Sequence, residues 1–318
     1  MAVALTNSYN GKGIAESFED VIFDISPEDT PLLSAAKRTT AGQTYHQWQT
    51  DALAAAATNA QLEGLDSTYA TLNATTVLGN YTQISAKTVK ISGTYDVVKK
   101  YGRKSEVAYQ LMKAGKELKR DMEYALVRNQ ASSAGGIATA RTSAGIESWI
   151  VNRVLATGSA GGTTPGFASG TVAAPTDGTA STFVEADLKS ALNLAWTDGG
   201  EPSLILMSAS NKARFSAFAG ITTKFNNVKD TAQATITGAA DVYVSDFGNH
   251  TVKLDRFMRD HCVLAVDPNY VSVATLRPMA KEELAKTGDS QNWLLTTEYA
   301  LVVNNPDAHA KVQNTNAA

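Results

Sequence analysis

The chain has 318 residues, of which 43% are hydrophobic and 19% charged, and its net charge is -3 at pH 7. This composition is typical of a folded protein with one large domain or two modest ones. The acidic pI of 5.9 excludes a protein that binds nucleic acid over most of its surface. No apolar run approaches the ~20 residues that span a bilayer, so no membrane partner is predicted.

The compartment in which the chain folds is indicated by its cysteine content and its first residues. Cys262 is the one cysteine, so it has no partner for an internal disulfide, as is usual in a reducing compartment. The N-terminal residues lack the charged and apolar regions of a secretion signal. We therefore expect folding in a cytoplasm.

Residues 1–41 predict a thin N-terminal arm. A short amphipathic helix is indicated around Phe18 and Ile22, and a second short helix is predicted to begin at Pro31, where a missing N–H costs nothing. An arm of this kind has too little apolar area to fold by itself. Phe18, Ile22 and Leu32 are therefore predicted to contact a neighbouring subunit.

Residues 42–98 predict a long two-stranded excursion. One strand is predicted over 42–48 and a longer one, with alternating apolar residues, over 81–98. The segment between them is rich in Ala and Thr and only weakly periodic. Two strands around such a segment favour an arm that protrudes from the subunit. A plain hairpin with a mobile tip fits the pattern equally well.

Residues 103–130 predict the longest helix. Its apolar positions recur at steps of three and four, and they are Val107, Leu111, Ala114, Leu118, Met122 and Ala125. Ser105 is predicted to cap its start and the glycines after Ser133 to cap its end, while Glu123 is placed largely outside the apolar stripe. A helix of this length, about 40 Å, indicates a spine with material attached at both ends. An ordinary core helix is the alternative.

The rest of the chain divides by composition. Residues 134–183 are rich in Gly, Ala, Ser and Thr, which is typical of a loop or inserted flap, and the apolar island with Trp149 and Ile150 is predicted to fix it to the core. From 184 the alternation of helix and strand patterns indicates a compact α/β unit, followed by strands. The last ten residues are predicted to form a polar tail.

Catalytic and metal-binding patterns are missing from the sequence. The histidines His46, His250, His261 and His309 show no zinc-ligand spacing, and no phosphate loop, dinucleotide fingerprint or nucleophile elbow occurs. His261 and Cys262 are adjacent in a predicted strand, where their side chains point to opposite faces and cannot form a nucleophile and base pair. We predict no enzyme activity, no metal and no cofactor.

A basic run surrounds Tyr101 where the excursion meets the long helix. It consists of Lys99, Lys100, Arg103 and Lys104. Because the chain is acidic overall, the run is better explained by pairing with acidic residues of a neighbouring copy, such as Glu16 and Glu19, than by either of two alternatives. Those alternatives are a solvated face and contact with nucleic acid phosphates.

The first 53 residues resemble a known family at the level of motifs. The sequence has Ser26, Pro27, Asp29, Thr30, Pro31 and Leu32 followed by Trp48, Asp51 and Leu53. This pattern is similar to one found in major capsid proteins of tailed bacteriophages, where an arm leads into an extended loop. The order of the predicted elements over nearly the whole chain is that of the Hong Kong 97-type capsid fold.

This resemblance implies an α+β fold made of five parts. They are the N-terminal arm (1–41), the extended β-hairpin or E-loop (42–98), the P-domain with its spine helix (99–133 and 276–312), a Gly/Ser/Thr-rich insertion (134–183) and the mixed α/β A-domain (184–275). It also adds Trp48 and the basic run to the expected subunit contacts. Residues 51–80 contain no lysine, so a non-covalent shell is expected.

The resemblance further implies a structural function. The chain is expected to assemble in the host bacterial cytoplasm, as pentamers and hexamers, into the icosahedral shell of a virion around double-stranded DNA bound without sequence specificity. A portal protein is an expected partner, together with a separate scaffold or decoration protein or none. A nanocompartment shell similar to encapsulins, holding an enzyme cargo, is the alternative, and a surface adhesin is disfavoured by the missing signal peptide.

Overall fold

The computed structural model of the chain describes residues 29–218 and 241–316, apart from 65, 67, 68, 70, 71, 73 and 103. Three predicted contact residues, Phe18, Ile22 and Arg103, lie outside the described residues, as does the helix predicted around Phe18.

Six α-helices are present in the described part of the chain. They are α1 (Pro31–Ala35), α2 (Gly93–Val97), α3 (Glu106–Val127), α4 (Ile146–Trp149), α5 (Glu185–Thr197) and α6 (Ala209–Ser216). Two short 3-10 helices follow near the C-terminus, at Pro268–Tyr270 and Pro306–Ala308.

The strands divide into two main sheets and three small ladders. They are β1 (Lys37–Thr40), β2 (Tyr45–Thr50), β3 (Thr76–Tyr81), β4 (Gln83–Ser92), β5 (Arg153–Leu155), β6 (Gly166–Ala168), β7 (Thr171–Ala173), β8 (Ser181–Thr182), β9 (Leu204–Met207), β10 (Val242–Ser245), β11 (Gly248–Leu254), β12 (Cys262–Val266), β13 (Val271–Leu284), β14 (Ser290–Val303), β15 (Ala310–Gln313) and β16 (Thr315–Asn316).

The first sheet has the order β1-β13-β14-β4 and carries the spine helix α3. β13 and β14 pair antiparallel from Val271 opposite Val303, and β14 pairs antiparallel with β4 from Ser290 opposite Ser92. The apolar stripe of α3 packs on this sheet, with Leu118 against Leu295 of β14. Alternation along β4 therefore turns one face to the helix and the other to solvent.

The second sheet has the order β10-β11-β9-β12-β15-β5 and is covered on both faces. Its central strands β9 and β12 are apolar throughout, as strands buried on two sides must be. Leu264 of β12 faces a core that also contains Trp149 and Leu126, whereas Val263 faces a second core under α5. The first core includes side chains of α3 and β14, so it joins the two sheets.

The spine helix is confirmed but is shorter than predicted. It covers Glu106–Val127, and the Ser105 hydroxyl accepts a hydrogen bond from the Ala108 N–H at 3.3 Å, as the cap requires. The predicted glycine cap is wrong, because the helix ends before Arg128, whose backbone is extended. Glu123 is also misplaced by the sequence pattern, since its side chain is fully buried.

The excursion is confirmed as two antiparallel strands, with different boundaries. β2 pairs with β3 from Tyr45 opposite Tyr81 to Thr50 opposite Thr76, and residues 51–75 connect them. The long strand predicted over 81–98 is instead interrupted at Thr82, continues as β4 and ends in α2. β4 leaves the hairpin because its partner is β14.

The predicted insertion and the predicted tail are both integrated into the subunit. Ile146, Trp149 and Ile150 are completely buried, which confirms that the apolar island fixes residues 134–183 to the core. β5, from this segment, is an edge strand of the six-stranded sheet. The prediction of a polar tail is wrong, because β15 lies inside that sheet between β12 and β5.

These sheets divide the chain differently from the predicted domain boundaries. β13 begins at Val271, within the range assigned to the A-domain, but it belongs to the sheet that carries the spine helix. The first three residues of β15, Ala310–Val312, fall within the range assigned to the P-domain, but this strand pairs with β12. Each sheet is therefore assembled from segments that are distant in sequence.

Candidate intersubunit surfaces

The lone cysteine lies inside the six-stranded sheet. Cys262 is the first residue of a central strand and is buried, and burial raises the pKa of its thiol. Within the described residues, no group of three or more His, Cys, Asp and Glu side chains is arranged to hold a metal ion. The described helices also include none that is long and apolar enough to cross a membrane.

The loop between β2 and β3, residues 51–75, is the most exposed part of the described chain. Four of its large apolar residues lie almost entirely in solvent: Leu53 (99% exposed), Leu62 (77%), Tyr69 (101%) and Leu72 (91%). Described residues of this loop form no helix or strand. Apolar side chains in this state, on a segment without its own core, mark a surface for a partner. We call residues 51–75 the E-loop tip.

The base of the hairpin is firmly held, in contrast to its tip. The Trp48 Nε1–H donates to the Val303 carbonyl at 3.0 Å, and its ring lies 5.3 Å from that of Trp149. The Tyr45 hydroxyl donates to the Gly170 carbonyl at 2.9 Å. Trp48 is half-buried against its own subunit. It therefore fixes the direction in which the E-loop tip leaves the subunit.

Leu32 belongs to the core of its own subunit, where the sequence predicts a contact with a neighbour. Its side chain is only 1% exposed. The backbone N–H groups of Leu32 and Leu33 donate to the two carboxylate oxygens of Glu123 at 2.7 and 2.8 Å. These bonds hold α1 against the spine helix, so the Leu32 side chain offers no surface to another copy.

The described lysines of the basic run, Lys99, Lys100 and Lys104, lie on the segment between α2 and α3, and we call residues 98–102, 104 and 105 the basic loop. Lys99 and Lys104 are exposed and form no hydrogen bond or ion pair with the described residues. Lys100 is tied to its own subunit, because its Nζ donates to the Asp96 carbonyl at 3.2 Å and lies 4.8 Å from the Tyr95 ring centre. Val98 adds a half-exposed apolar side chain.

A groove at the base of the hairpin was not predicted from the sequence. It has a volume of about 800 Å³ and lies between the hairpin and the 3-10 helix after β14. The half-buried Phe167 lies in its floor and stacks on the completely buried Trp149, with ring centres 5.7 Å apart and planes within 5° of parallel. Asp51, Asp198 and Asp307 lie around it. We call this site the acidic groove.

The charge of the acidic groove is uncompensated within the described residues. None of its three aspartates forms an ion pair there, and Asp198 Oδ2 accepts only the neutral amide of Asn152, at 2.7 Å. Burial and then the charge of Asp198 raise the pKa of Asp307. The three residues come from separate segments, so no spacing in the sequence pointed to the groove.

Comparisons with known proteins agree with this geometry. A family model described as SU10 major capsid protein matches residues 4–316. The major capsid protein of Escherichia phage Phieco32 is 42% identical over 125 residues, and the match spans 39% of this chain but only 36% of that relative.

Solved structures share the architecture at low sequence identity. The capsid of a native GTA particle has a TM-score of 0.62 at 13% identity and covers 97% of this chain and 98% of its own. A chain of Mycobacterium phage Adephagia has a TM-score of 0.60 at 11% identity, with 98% of both chains covered. A SrpI encapsulin from Synechococcus elongatus has a TM-score of 0.59 at 11% identity, and the match covers 99% of this chain and 98% of the encapsulin chain. At such identities these likenesses show the fold alone.

The expected α+β fold of the Hong Kong 97 type is thereby confirmed, and so is the resemblance to major capsid proteins of tailed phages. The family model covers nearly the whole chain, including the segments 134–183 and 309–316 that the sequence pattern misplaced. The chain belongs to the SU10 major capsid protein family.

Proposed function

We propose that many copies of this chain assemble into the icosahedral head shell that encloses the double-stranded DNA of a tailed phage. The role is structural, and no catalytic step is assigned to the chain. The observation that carries the proposal is the E-loop tip, which extends from a rigid base and exposes large apolar side chains.

The energetics of the E-loop tip favour burial against a neighbour. Removing a leucine or tyrosine side chain from water contributes about 2 kcal/mol. Fixing the backbone costs about 1 to 2 kcal/mol per residue, so a segment of this length orders only where an extensive contact offsets that cost. Within one subunit the tip makes no such contact among described residues. A closed lattice supplies one to every copy.

The remaining partners follow from this role. Copies are expected to form pentamers and hexamers, because flat hexamers and curved pentamers together close a shell. A portal protein replaces subunits at one vertex, and a separate scaffold or decoration protein, or none, assists assembly. The packaged DNA is bound without sequence specificity. Assembly in the host bacterial cytoplasm places the finished protein in the virion.

A nanocompartment shell is the second candidate function. The observation that favours it is the encapsulin chain of similar architecture, which covers 99% of this chain. An encapsulin-like shell would hold an enzyme cargo in place of a genome. Because both shells are built from one fold, the content of purified particles decides between them. Nuclease-protected duplex DNA supports the phage head, and a co-purifying enzyme without DNA supports the compartment.

The test of the proposed function uses charges placed in the E-loop tip. Leu62→Asp combined with Leu72→Asp is expected to abolish shells, viewed by negative-stain electron microscopy, because two buried contacts become unpaired charges. The melting temperature of the subunit should stay unchanged, since both residues are exposed. The control is Ala54→Asp with Ala57→Asp, which adds the same charge at exposed small residues of the same segment and should permit assembly. Normal shells from the leucine variant would contradict the proposal.

A further inference from the structure

The acidic groove and the basic loop have complementary charge and shape. The groove presents Asp51, Asp198 and Asp307 without a cationic partner in the described part of the chain, above the aromatic pair Trp149 and Phe167. A lysine fits such a site in two ways, because its ammonium pairs with carboxylates while its methylene stem packs on aromatic rings.

A second observation concerns Trp149, which lies beneath the groove. Trp149 is completely buried, and its Nε1–H has no acceptor among the described residues. A buried donor without an acceptor is costly and unusual. The neighbouring Trp48 differs in this respect, since its Nε1–H donates to the Val303 carbonyl. Because this N–H is itself out of contact with solvent, a carbonyl of a docked segment reaches it only if docking shifts the side chains that cover it.

The basic loop offers the matching chemistry. Lys99 and Lys104 are exposed without a partner in the described residues, and Val98 and Tyr101 are 55% and 60% exposed. A short segment with two available ammonium groups and two exposed apolar or aromatic side chains complements a groove with an acidic rim and an aromatic floor. Its other lysine, Lys100, is held against Tyr95 of its own subunit.

The two surfaces lie at opposite ends of one strand. At its first residue β14 pairs with Ser92, which leads directly through α2 into the basic loop. At its last residue, Val303, β14 accepts the bond from Trp48, and Asn305, Pro306 and Asp307 then enter the groove. Fourteen residues of strand span about 45 Å. The two surfaces therefore cannot meet within one copy.

We infer that the basic loop of one copy docks into the acidic groove of a second copy. This inference rests on the proposed function and assigns residues to one of its contacts. A contact between two different surfaces is head-to-tail, and head-to-tail contacts generate closed rings or extended lattices. Because exposed ion pairs add little free energy, the charges here set register and orientation, and the buried stems and rings add affinity.

A charge swap tests the inference in the full chain. Lys99→Glu with Lys104→Glu, and separately Asp198→Lys with Asp307→Lys, should each reduce the yield of particles about tenfold or more, because like charges then face each other. Combining all four changes restores opposite charges between the exchanged residues, with Asp51 unchanged, and should return the yield to within about threefold of wild type. The matched control, Lys119→Glu with Lys253→Glu, reverses two exposed lysines outside both surfaces and should leave the yield unchanged.

Disulfide trapping gives a readout that does not depend on closed shells. Lys104→Cys with Asp307→Cys should form, on oxidation of the concentrated protein, a ladder of linked dimers, trimers and larger species, since each copy carries both ends of the contact. Cys262 is buried and does not interfere. Each single cysteine variant, and Lys253→Cys with Asp307→Cys, should stop at dimers.

These experiments can fail for the docking inference without failing for the proposed function. Normal particle yields from both reversed pairs, a failed rescue, or no ladder from the trapping variant would overturn the docking inference while wild-type shells leave the proposed function intact. A wild-type protein that forms no shell contradicts the proposed function, and the ladder then still decides whether loop and groove meet.

Discussion

The Glu123 carboxylate accepts a hydrogen bond of 2.7 Å from the backbone N–H of Leu32, a residue 91 positions earlier in the chain. Leu33 donates to the other carboxylate oxygen, so one buried side chain of the spine helix holds the start of α1. Burial, reinforced by the nearby Asp255, raises the pKa of Glu123 to about 8. The join between the described end of the arm and the spine helix therefore contains an ionisable group that titrates near neutral pH.

We predict that this group makes the subunit less stable at pH 8 than at pH 5. The folded pKa lies above the unfolded value of 4.5, so the folded protein keeps a proton that the unfolded chain has released. The contribution is fully present below pH 4.5 and is lost as the pH rises to about 8, at up to about 1.4 kcal/mol per pH unit. Urea unfolding of the free subunit across this range measures it.

Asp255→Asn isolates the effect, since it removes the neighbouring carboxylate and retains the oxygen that accepts the Phe257 N–H at 2.8 Å. The free energy of unfolding should then fall less between pH 5 and pH 8 than in the wild type. The exposed residue Asp246 supplies the control, and Asp246→Asn should follow the wild-type slope. A slope that Asp255→Asn leaves unaltered would show that the pair is not the source.

Leu118→Asp should destabilise the subunit by about 3 kcal/mol or more, because it places an unpaired charge between the spine helix and β14. Leu118 is completely buried and packs against Ala114 and Leu295. Met112 is on the same helix and is 58% exposed, so Met112→Asp is the matched control and should change stability little. Equal unfolding midpoints in urea for the two variants would mean that the helix packs by a different face.

Lys311 in β15 is a buried polar residue whose contribution to the stability of the subunit can be measured. Its Nζ donates to the Glu147 carbonyl at 2.7 Å, and its side chain is completely buried. Lys311→Ala leaves both a cavity and an unpaired carbonyl, and should cost about 3 to 5 kcal/mol. Lys311→Met fills most of the volume and should cost about 1 to 2 kcal/mol less than the alanine variant. Identical losses in chemical denaturation would argue that the cavity is unimportant.

The sequence predicted the elements whose pattern is local. The apolar stripe of the spine helix was identified, and so was the alternation of helix and strand after residue 184, where α5 and the buried strand Leu204–Met207 lie, because helical and strand periodicities are visible within a single segment. The two-stranded excursion was also identified. Its break at Thr82 was not, because the chain changes partner there, and the pairing of β4 with β14 depends on residues about two hundred positions away.

The sequence could not reveal polar residues that are buried by distant partners. In β15, Lys311 bonds to Glu147 and the Gln313 amide donates to the Thr176 carbonyl at 2.7 Å, so a strand that looks solvent-exposed lies inside a sheet. The Gly-rich segment is ordered by similar bonds, including one from the Gly178 N–H to Asn314 Oδ1 at 2.9 Å. The acidic groove was missed because it combines segments that carry no common motif.

The E-loop tip and residues 156–182 are both polar in sequence, but only the second segment is packed into the subunit, and this changes the expected sites of proteolysis. The polar composition of the sequence alone predicts that cleavage of the free subunit begins either in residues 51–80 or in residues 156–182. The second segment contains the ladder of β6 and β7, and Val172 within it is 1% exposed. We therefore expect early cleavage in the E-loop tip and resistance at 156–182, read by mass spectrometry of the first fragments.

Limited proteolysis of the same protein as free subunits and as assembled particles measures directly whether a neighbouring copy covers the E-loop tip. If the tip is covered in the shell, cleavage within 51–75 should be fast in free subunits and slowed at least about tenfold in particles. Cleavage at equal rates in both states, or a tip already resistant in the free subunit, would contradict this prediction.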